Sequence, residues 1–188
     1  MLLAQSFVKL LQLWENKTLK TISRDLIRDR VLIVSFQAIV RILQSQLDNG
    51  SWTNCYEETA YAVIALANLA SLPFVGPILL PIESAIQRGR EFLLSRPLQS
   101  PPEYLWIEKV SYGSNSLSKA YVLSALNISV PTARLGNDVS SLAPVHPKAV
   151  IKFSEFFSRL PLYSGLDKWR LHAALIESYL FLPLIKRV

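Results

Sequence analysis

A single cysteine, Cys55, stands among 188 residues. That excludes an internal disulfide framework, denies a thiolate metal site its second soft ligand, and fits a reducing, intracellular, cytoplasmic setting. Histidine is nearly as scarce. His146 and His172 lie far from Cys55 in sequence, so a cysteine nucleophile has no nearby base, and Cys55 reads as a small semi-buried apolar residue. Charged residues make up 18% of the chain against 51% hydrophobic, which excludes disorder. The net charge of +6 is spread over scattered residues such as Arg24, Arg41, Arg88 and Lys109. With no basic run and no recognition motif, nucleic acid is not an expected partner.

Long alternating apolar and polar runs bounded by hairpin turns are also missing, so the expected class is all-α. Residues 61–82 carry no charge and reach the length of a membrane span. Pro73, Pro77 and Pro81 argue against one, because each removes a backbone donor and biases the residue before it away from helix. The stretch therefore reads as a buried helix ending near Leu72, followed by a broken connector. No transmembrane segment is expected, and peripheral contact with a membrane surface remains compatible with the composition. The first thirteen residues lack a basic start and a small-residue cleavage site, and read as helix rather than address.

What is present is a string of helical patterns in a chain expected to form a single domain over 1–188, long enough to bury a sizeable core. Helices are expected over 3–14, 19–24, 28–46, 56–72, 78–94, a segment within 113–127 that starts near Ser114 or Ser116, 148–160 and 166–182. Apolar residues nearly encircle the 28–46 helix, as in a helix covered on most sides. Asn54 and Glu57 have the spacing of a capping box ahead of the 56–72 helix. A loop opens at Ser100 to Pro102, and 128–147, with Pro131, Gly136, Pro144 and Pro147, is expected to be a flexible loop. On the last helix, Leu166, Trp169, Ala173, Ile176 and Leu180 form one apolar stripe.

Gln46-Leu47-Asp48-Asn49-Gly50-Ser51-Trp52 joins two of these apolar helices. Its Gln-xxx-Gly-x-Trp pattern resembles the glutamine-tryptophan turn of terpene cyclases, in which Gln closes one helix, Gly permits a left-handed reversal and Trp covers the joint. Arg88-Gly89-Arg90-Glu91-Phe92-Leu93 resembles the opening of the same repeat, with a proline loop in place of its usual ending. Together with Tyr61-Ala62-Val63 and the run from Tyr104 through Trp106, Lys109 and Tyr112 to Tyr121, these residues resemble the class II half of fungal diterpene cyclases of the copalyl diphosphate and ent-kaurene synthase type. The resemblance extends over about 10–185. It implies antiparallel helical hairpins forming part of an α/α barrel, a terpenoid cyclase-like toroid that is incomplete in this chain.

The chemistry of that family sets a test. Class II cyclisation of geranylgeranyl diphosphate needs an acid able to protonate an alkene, supplied by Asp-x-Asp-Asp. Class I ionisation needs Mg²⁺ on Asp-Asp-xx-Asp. Asp25, Asp29, Asp48, Asp138 and Asp167 form neither motif. Asn137-Asp138-Val139-Ser140-Ser141 begins like the second metal motif, but position 145 is Val and Pro144 interrupts a continuous helix. Glu57 and Glu58 point about 100° apart on a helix and do not converge; first-turn acids also favour the helix dipole. The expected catalytic and metal sets are therefore empty. Mg²⁺ belongs to the parent family and no cofactor to this chain alone.

The resemblance implies substrate-binding roles for three residues. Lys109, between Trp106 and Tyr112, would hold the diphosphate of an isoprenoid substrate, and the two aromatics would face a carbocation without quenching it. Core packing and a solvated lysine are the competing reading. Gln46, Gly50 and Trp52 are expected to be a structural joint, His172 a satisfied structural residue and His146 a loop residue. Two functions follow: a shortened or fragmentary diterpene cyclase that is inactive alone, or a non-catalytic helical module that binds an apolar ligand or a partner protein. Both predict an exposed apolar face, open to self-association or to the missing barrel half.

Overall fold

The computed structural model describes residues 1–95, 105–107, 110–131, 135–143 and 145–186, with backbone alone for 106, 107 and 110–112. The described residues form α1 (Leu2–Glu15), α2 (Arg24–Leu26), a π-helical turn (Ile27–Val31), α3 (Leu32–Gln44), α4 (Tyr56–Leu69) and a 3-10 turn (Gly76–Ile78) running into α5 (Leu79–Leu94). A short hairpin, β1 (Leu105–Ile107) and β2 (Val110–Tyr112), precedes α6 (Asn115–Asn127), α7 (Asn137–Leu142), α8 (Pro147–Ser158) and α9 (Lys168–Ile185). The class is all-α, with that antiparallel pair as its only sheet among the described residues. Three-residue strands are too short to show an alternating pattern in the sequence.

The centre of the fold is α4. Ten of its fourteen residues are buried, including Ala60, Ala62, Ala65 and Ala67, and small side chains let α1, α3, α5 and α6 approach it closely. Each neighbour contributes one stripe at helical spacing: Ala4, Val8 and Leu11 from α1; Leu32, Phe36 and Ile39 from α3; Ile82, Ala85, Ile86, Gly89 and Leu93 from α5. α5 returns along α4, with the Tyr56 and Phe92 rings 4.9 Å apart near one end. α8 and α9 pack on each other, and α9 also lies against α3. Among the described residues no helix is long and apolar enough to cross a membrane.

Several local expectations change. Lys17, at φ 58°, ends α1, and no helix covers 19–23. Helix resumes at Arg24 because the Ser23 hydroxyl accepts the Leu26 N–H at 3.1 Å. The helix entering the joint stops at Gln44, so Gln46 lies beyond it, and Val34 on its outer side is 44% exposed. No capping box forms ahead of α4. Thr53 and Asn54 both take positive φ, 57° and 58°, which turns the Asn54 side chain back to accept from Asn49 Nδ2 at 2.7 Å. Cys55 is the N-cap residue, and its side chain does not cap the helix.

Helix α4 ends at Leu69, three residues short of the expected stop, and Pro77 sits in the following 3-10 turn. Ser114 does cap α6, while the Ser100 to Pro102 loop lies outside the described residues. Within 128–147 the structure places α7, and residues 132–134 and 144 of that stretch lie outside the description. The Glu15 carboxylate accepts the Asp138 and Val139 N–H groups at 3.0 and 2.8 Å. Lys17 pairs with Asp138, so the end of α1 holds the start of α7. Leu166 falls before α9 and is 46% exposed, whereas Ala173, Ile176 and Leu180 of the expected stripe are buried.

Candidate functional site

The 46–52 joint is built by two segments that sit about forty residues apart in the chain. Gly50 takes φ +86°, the left-handed conformation that costs other residues energy. A Cβ there would stand 2.5 Å from the Arg88 carbonyl oxygen. The Gln46 amide donates to the Gly50 carbonyl at 2.9 Å and to the Ala85 carbonyl at 2.8 Å, and its oxygen accepts from the Arg88 guanidinium. Gln46 thus links the turn to α5 instead of closing α3. Trp52, 5% exposed, donates its indole N–H to the Ile42 carbonyl at 2.8 Å and so closes the α3 end itself. Gly89 faces the same ring, where a Cβ would meet Val63 Cγ2 at 2.7 Å and Trp52 Cζ3 at 3.0 Å.

The turn with Gln46, Gly50 and Trp52 therefore touches the Arg88-Gly89 segment of α5. Sequence reading set these two segments apart as separate repeats. Their mutual contact had no sequence signal beyond the glycine itself, which in mid-helix costs stability unless something approaches closely.

Of the proposed substrate-binding residues, Trp106 lies on β1 opposite Ser111, and Tyr112 lies on β2 opposite Leu105. The backbone thus holds Trp106 and Tyr112 on paired strands of one hairpin. Lys109 lies outside the described residues.

Sequence reading missed Glu57 as a buried acid. It is 1% exposed, accepts the Tyr61 hydroxyl on Oε1 and has no hydrogen-bond partner at Oε2 among the described residues. Glu58 turns the other way, to the Thr53 hydroxyl. Tyr61 packs edge-on against Tyr121 at 4.8 Å, and Arg90 donates to the Ala125 carbonyl at 3.1 Å and to that of Ile128, closing the end of α6. First-turn acids are common enough for dipole reasons that nothing in the sequence separates Glu57 from Glu58.

His172 bridges three segments: Nδ1 meets the Pro77 carbonyl at 2.9 Å and Nε2 the Ser154 hydroxyl at 2.9 Å. With both nitrogens occupied and 8% exposure, it is placed as a tie between helices. His146 is the N-cap residue of α8, with its ring 6.5 Å from that of Tyr179. In the π turn, Arg28 grips buried Asp29 through two bonds of 2.6 and 3.0 Å and reaches Asp25 at 2.8 Å. The Asp29 hydrogen bond holds the Arg28 guanidinium above its ordinary value against the opposing effect of burial. Among the described residues no three His, Cys, Asp or Glu side chains gather as a metal site would require.

No family model matches the chain, and no solved structure matches it. Curated proteins do. A pimaradiene synthase of Emericella nidulans is 44% identical over 99% of this chain and 19% of its own length. A bifunctional premutilin synthase of Clitopilus passeckerianus is 38% identical over 100% of this chain and 20% of its own. A bifunctional ent-kaurene synthase of Gibberella fujikuroi is 31% identical over 99% of this chain and 20% of its own. The chain thus spans about a fifth of the length of the curated relatives it matches, from 19% to 20% in these three. Similarity that runs from end to end at 44% identity, on an all-α fold, makes the chain homologous to one segment of the fungal diterpene synthases.

Proposed function

We propose that this chain forms, as a single domain, one side of the class II α/α barrel of a diterpene cyclase, and that it does not cyclise geranylgeranyl diphosphate on its own. One observation carries the reading. A chain that matches a pimaradiene synthase over 99% of its length contains neither Asp-x-Asp-Asp nor Asp-Asp-xx-Asp. Protonating an alkene takes a carboxylic acid kept neutral and backed by its neighbours, and these residues supply no such pair.

In this reading Gln46, Gly50 and Trp52 are the repeat joint of the barrel wall. Lys109 would hold the isoprenoid diphosphate, and Trp106 and Tyr112 would turn aromatic faces to a developing cation. Magnesium is the metal that the resemblance implies for the longer enzymes. The described residues do not fit it, since no carboxylate set converges, and no step here is assigned to it.

The test is to incubate the purified protein with geranylgeranyl diphosphate and Mg²⁺ and to analyse the extract for cyclic products. None is expected. Sustained formation of a cyclic diphosphate would overturn the claim of inactivity. In a parallel binding measurement with a non-reactive diphosphate analogue, Lys109→Ala should weaken binding at least about tenfold, the scale of a lost charge-assisted contact. Unchanged binding would remove Lys109 from the site.

The second reading, a non-catalytic helical module for an apolar ligand or a partner protein, draws on exposed apolar residues such as Leu162 at 81% and Phe156 at 59%.

A further inference from the structure

One surface combines exposed aromatics with three cations that form no ion pair among the described residues. α8 buries Val150 and Ser154 on its inner side. On the outer side, residues three, four or seven apart share a face, which aligns Lys148, Lys152, Glu155 and Arg159; all four are exposed, three cations to one carboxylate. Among the described residues none of them makes an ion pair, whereas Asp167 is taken by Arg170 at 3.5 Å. Beside that stripe stand Phe153 and Phe156, 47% and 59% exposed. The Phe156 and Phe157 rings are 5.5 Å apart, as are those of Phe157 and Tyr163, so aromatic contact continues into the turn that carries Leu162 at 81% exposure.

From this juxtaposition of exposed rings and unpaired cations we infer that the end of α8 and the 159–166 turn dock on an anionic lipid bilayer. Charge decides the occupant. Between Pro147 and Arg170 there are five cations and two carboxylates. An apolar partner surface would desolvate Lys148, Lys152 and Arg159 with Glu155 as the single carboxylate in their stripe, at a cost, whereas a leaflet of acidic headgroups meets the excess positive charge with counter-charges. Phenylalanine and leucine would sit below the headgroups, with the lysine and arginine stems snorkelling up to them. Such docking is independent of catalysis by the chain.

The experiment is vesicle flotation of the intact protein with phosphatidylcholine alone and with phosphatidylcholine containing phosphatidylserine. Binding is expected only to the second. It should be lost between about 0.1 M and about 1 M salt, as the screening length falls from roughly 10 to 3 Å. Lys152→Glu with Arg159→Glu should lower the partition coefficient at least about tenfold, since each cation near an acidic leaflet is worth about fivefold. Phe153→Ser with Phe156→Ser should lower it on the same vesicles, and circular dichroism should show helix content unchanged in both variants. Because all four positions are exposed, they are poor places to unfold the protein; should one pair do so, the single Lys152→Glu serves in its place. No binding to acidic vesicles, equal binding to both vesicle types, or full binding by the charge-reversed protein would overturn the inference. So would a self-associated protein in gel filtration that the Phe153 and Phe156 changes render monomeric.

Discussion

Gly50 and Arg88 meet backbone to backbone: a Cβ on Gly50 would lie 2.5 Å from the Arg88 carbonyl oxygen, and Gly50 itself sits at φ +86°. Gly50→Ala therefore suffers twice, from a left-handed conformation and from an overlap with main chain that cannot swing aside. The expected loss of stability is at least about 2 kcal/mol, read from urea unfolding at constant m. A loss below about 0.5 kcal/mol, the range of an ordinary surface change, would mean that α5 does not approach the turn.

Gly89 meets side chains instead, Val63 Cγ2 at 2.7 Å and the Trp52 ring at 3.0 Å, and side chains can be trimmed. Gly89→Ala should destabilise the protein, and Val63→Ala in the same chain should recover part of that loss. The double-mutant cycle should give a coupling of about 0.5–3 kcal/mol, as for residues in direct contact. Strict additivity would separate Gly89 from the joint.

Trp52 offers a separation of packing from hydrogen bonding. Trp52→Phe keeps a ring but leaves the Ile42 carbonyl without the indole donor, and should cost about 1–3 kcal/mol. Trp52→Ala should cost about 3–5 kcal/mol, the scale of emptying a buried aromatic site. Equal losses for the two variants would assign the residue's whole effect to the N–H.

Glu57 is buried, with one oxygen unbonded among the described residues. Replacing it together with the phenol that faces it, Glu57→Met with Tyr61→Phe, removes a desolvated carboxylate and keeps an unbranched chain of similar volume. The pair should be as stable as the parent or more so, as when a half-satisfied buried polar pair gives way to packed apolar groups. A clear loss on thermal unfolding would show that the carboxylate contributes to the fold.

Glu15 caps a helix from a distant part of the chain. Glu15→Gln keeps one acceptor and removes the charge, so its bonds to the Asp138 and Val139 N–H groups should weaken by about 1–2 kcal/mol. Amide exchange should quicken at Asp138 and Val139 and stay unchanged in α4. Uniform quickening across the protein would make Glu15 part of the global core instead.

Helices with one strong apolar stripe were legible in the sequence. α1 and α5 fall within a residue or so of their expected ends because periodicity runs through their whole length. Boundaries governed by backbone conformation were not. The positive φ angles of Lys17 and Thr53 belong to residue types that usually avoid them, and with that of Asn54, a type that tolerates the left-handed region, they cancelled the 19–24 helix and the Asn54 cap. At the joint, a left-handed Gly50 followed from its residue type. That Gln46 would reach Ala85 and Arg88, 39 and 42 residues away, is a tertiary fact with no local trace. Glu57 stayed hidden because burial of one first-turn acid and exposure of the next depends on which neighbours arrive.

The His172 ring sets an order on assembly. Its Ser154 contact spans 18 residues and can form as α8 and α9 pair locally, whereas its Pro77 contact spans 95. Closing the longer loop costs more chain entropy and rewards the chain only once the 76–78 turn has taken shape. The last two helices therefore form a local hairpin that the earlier part of the chain receives, and the imidazole acts as the latch that marks its arrival.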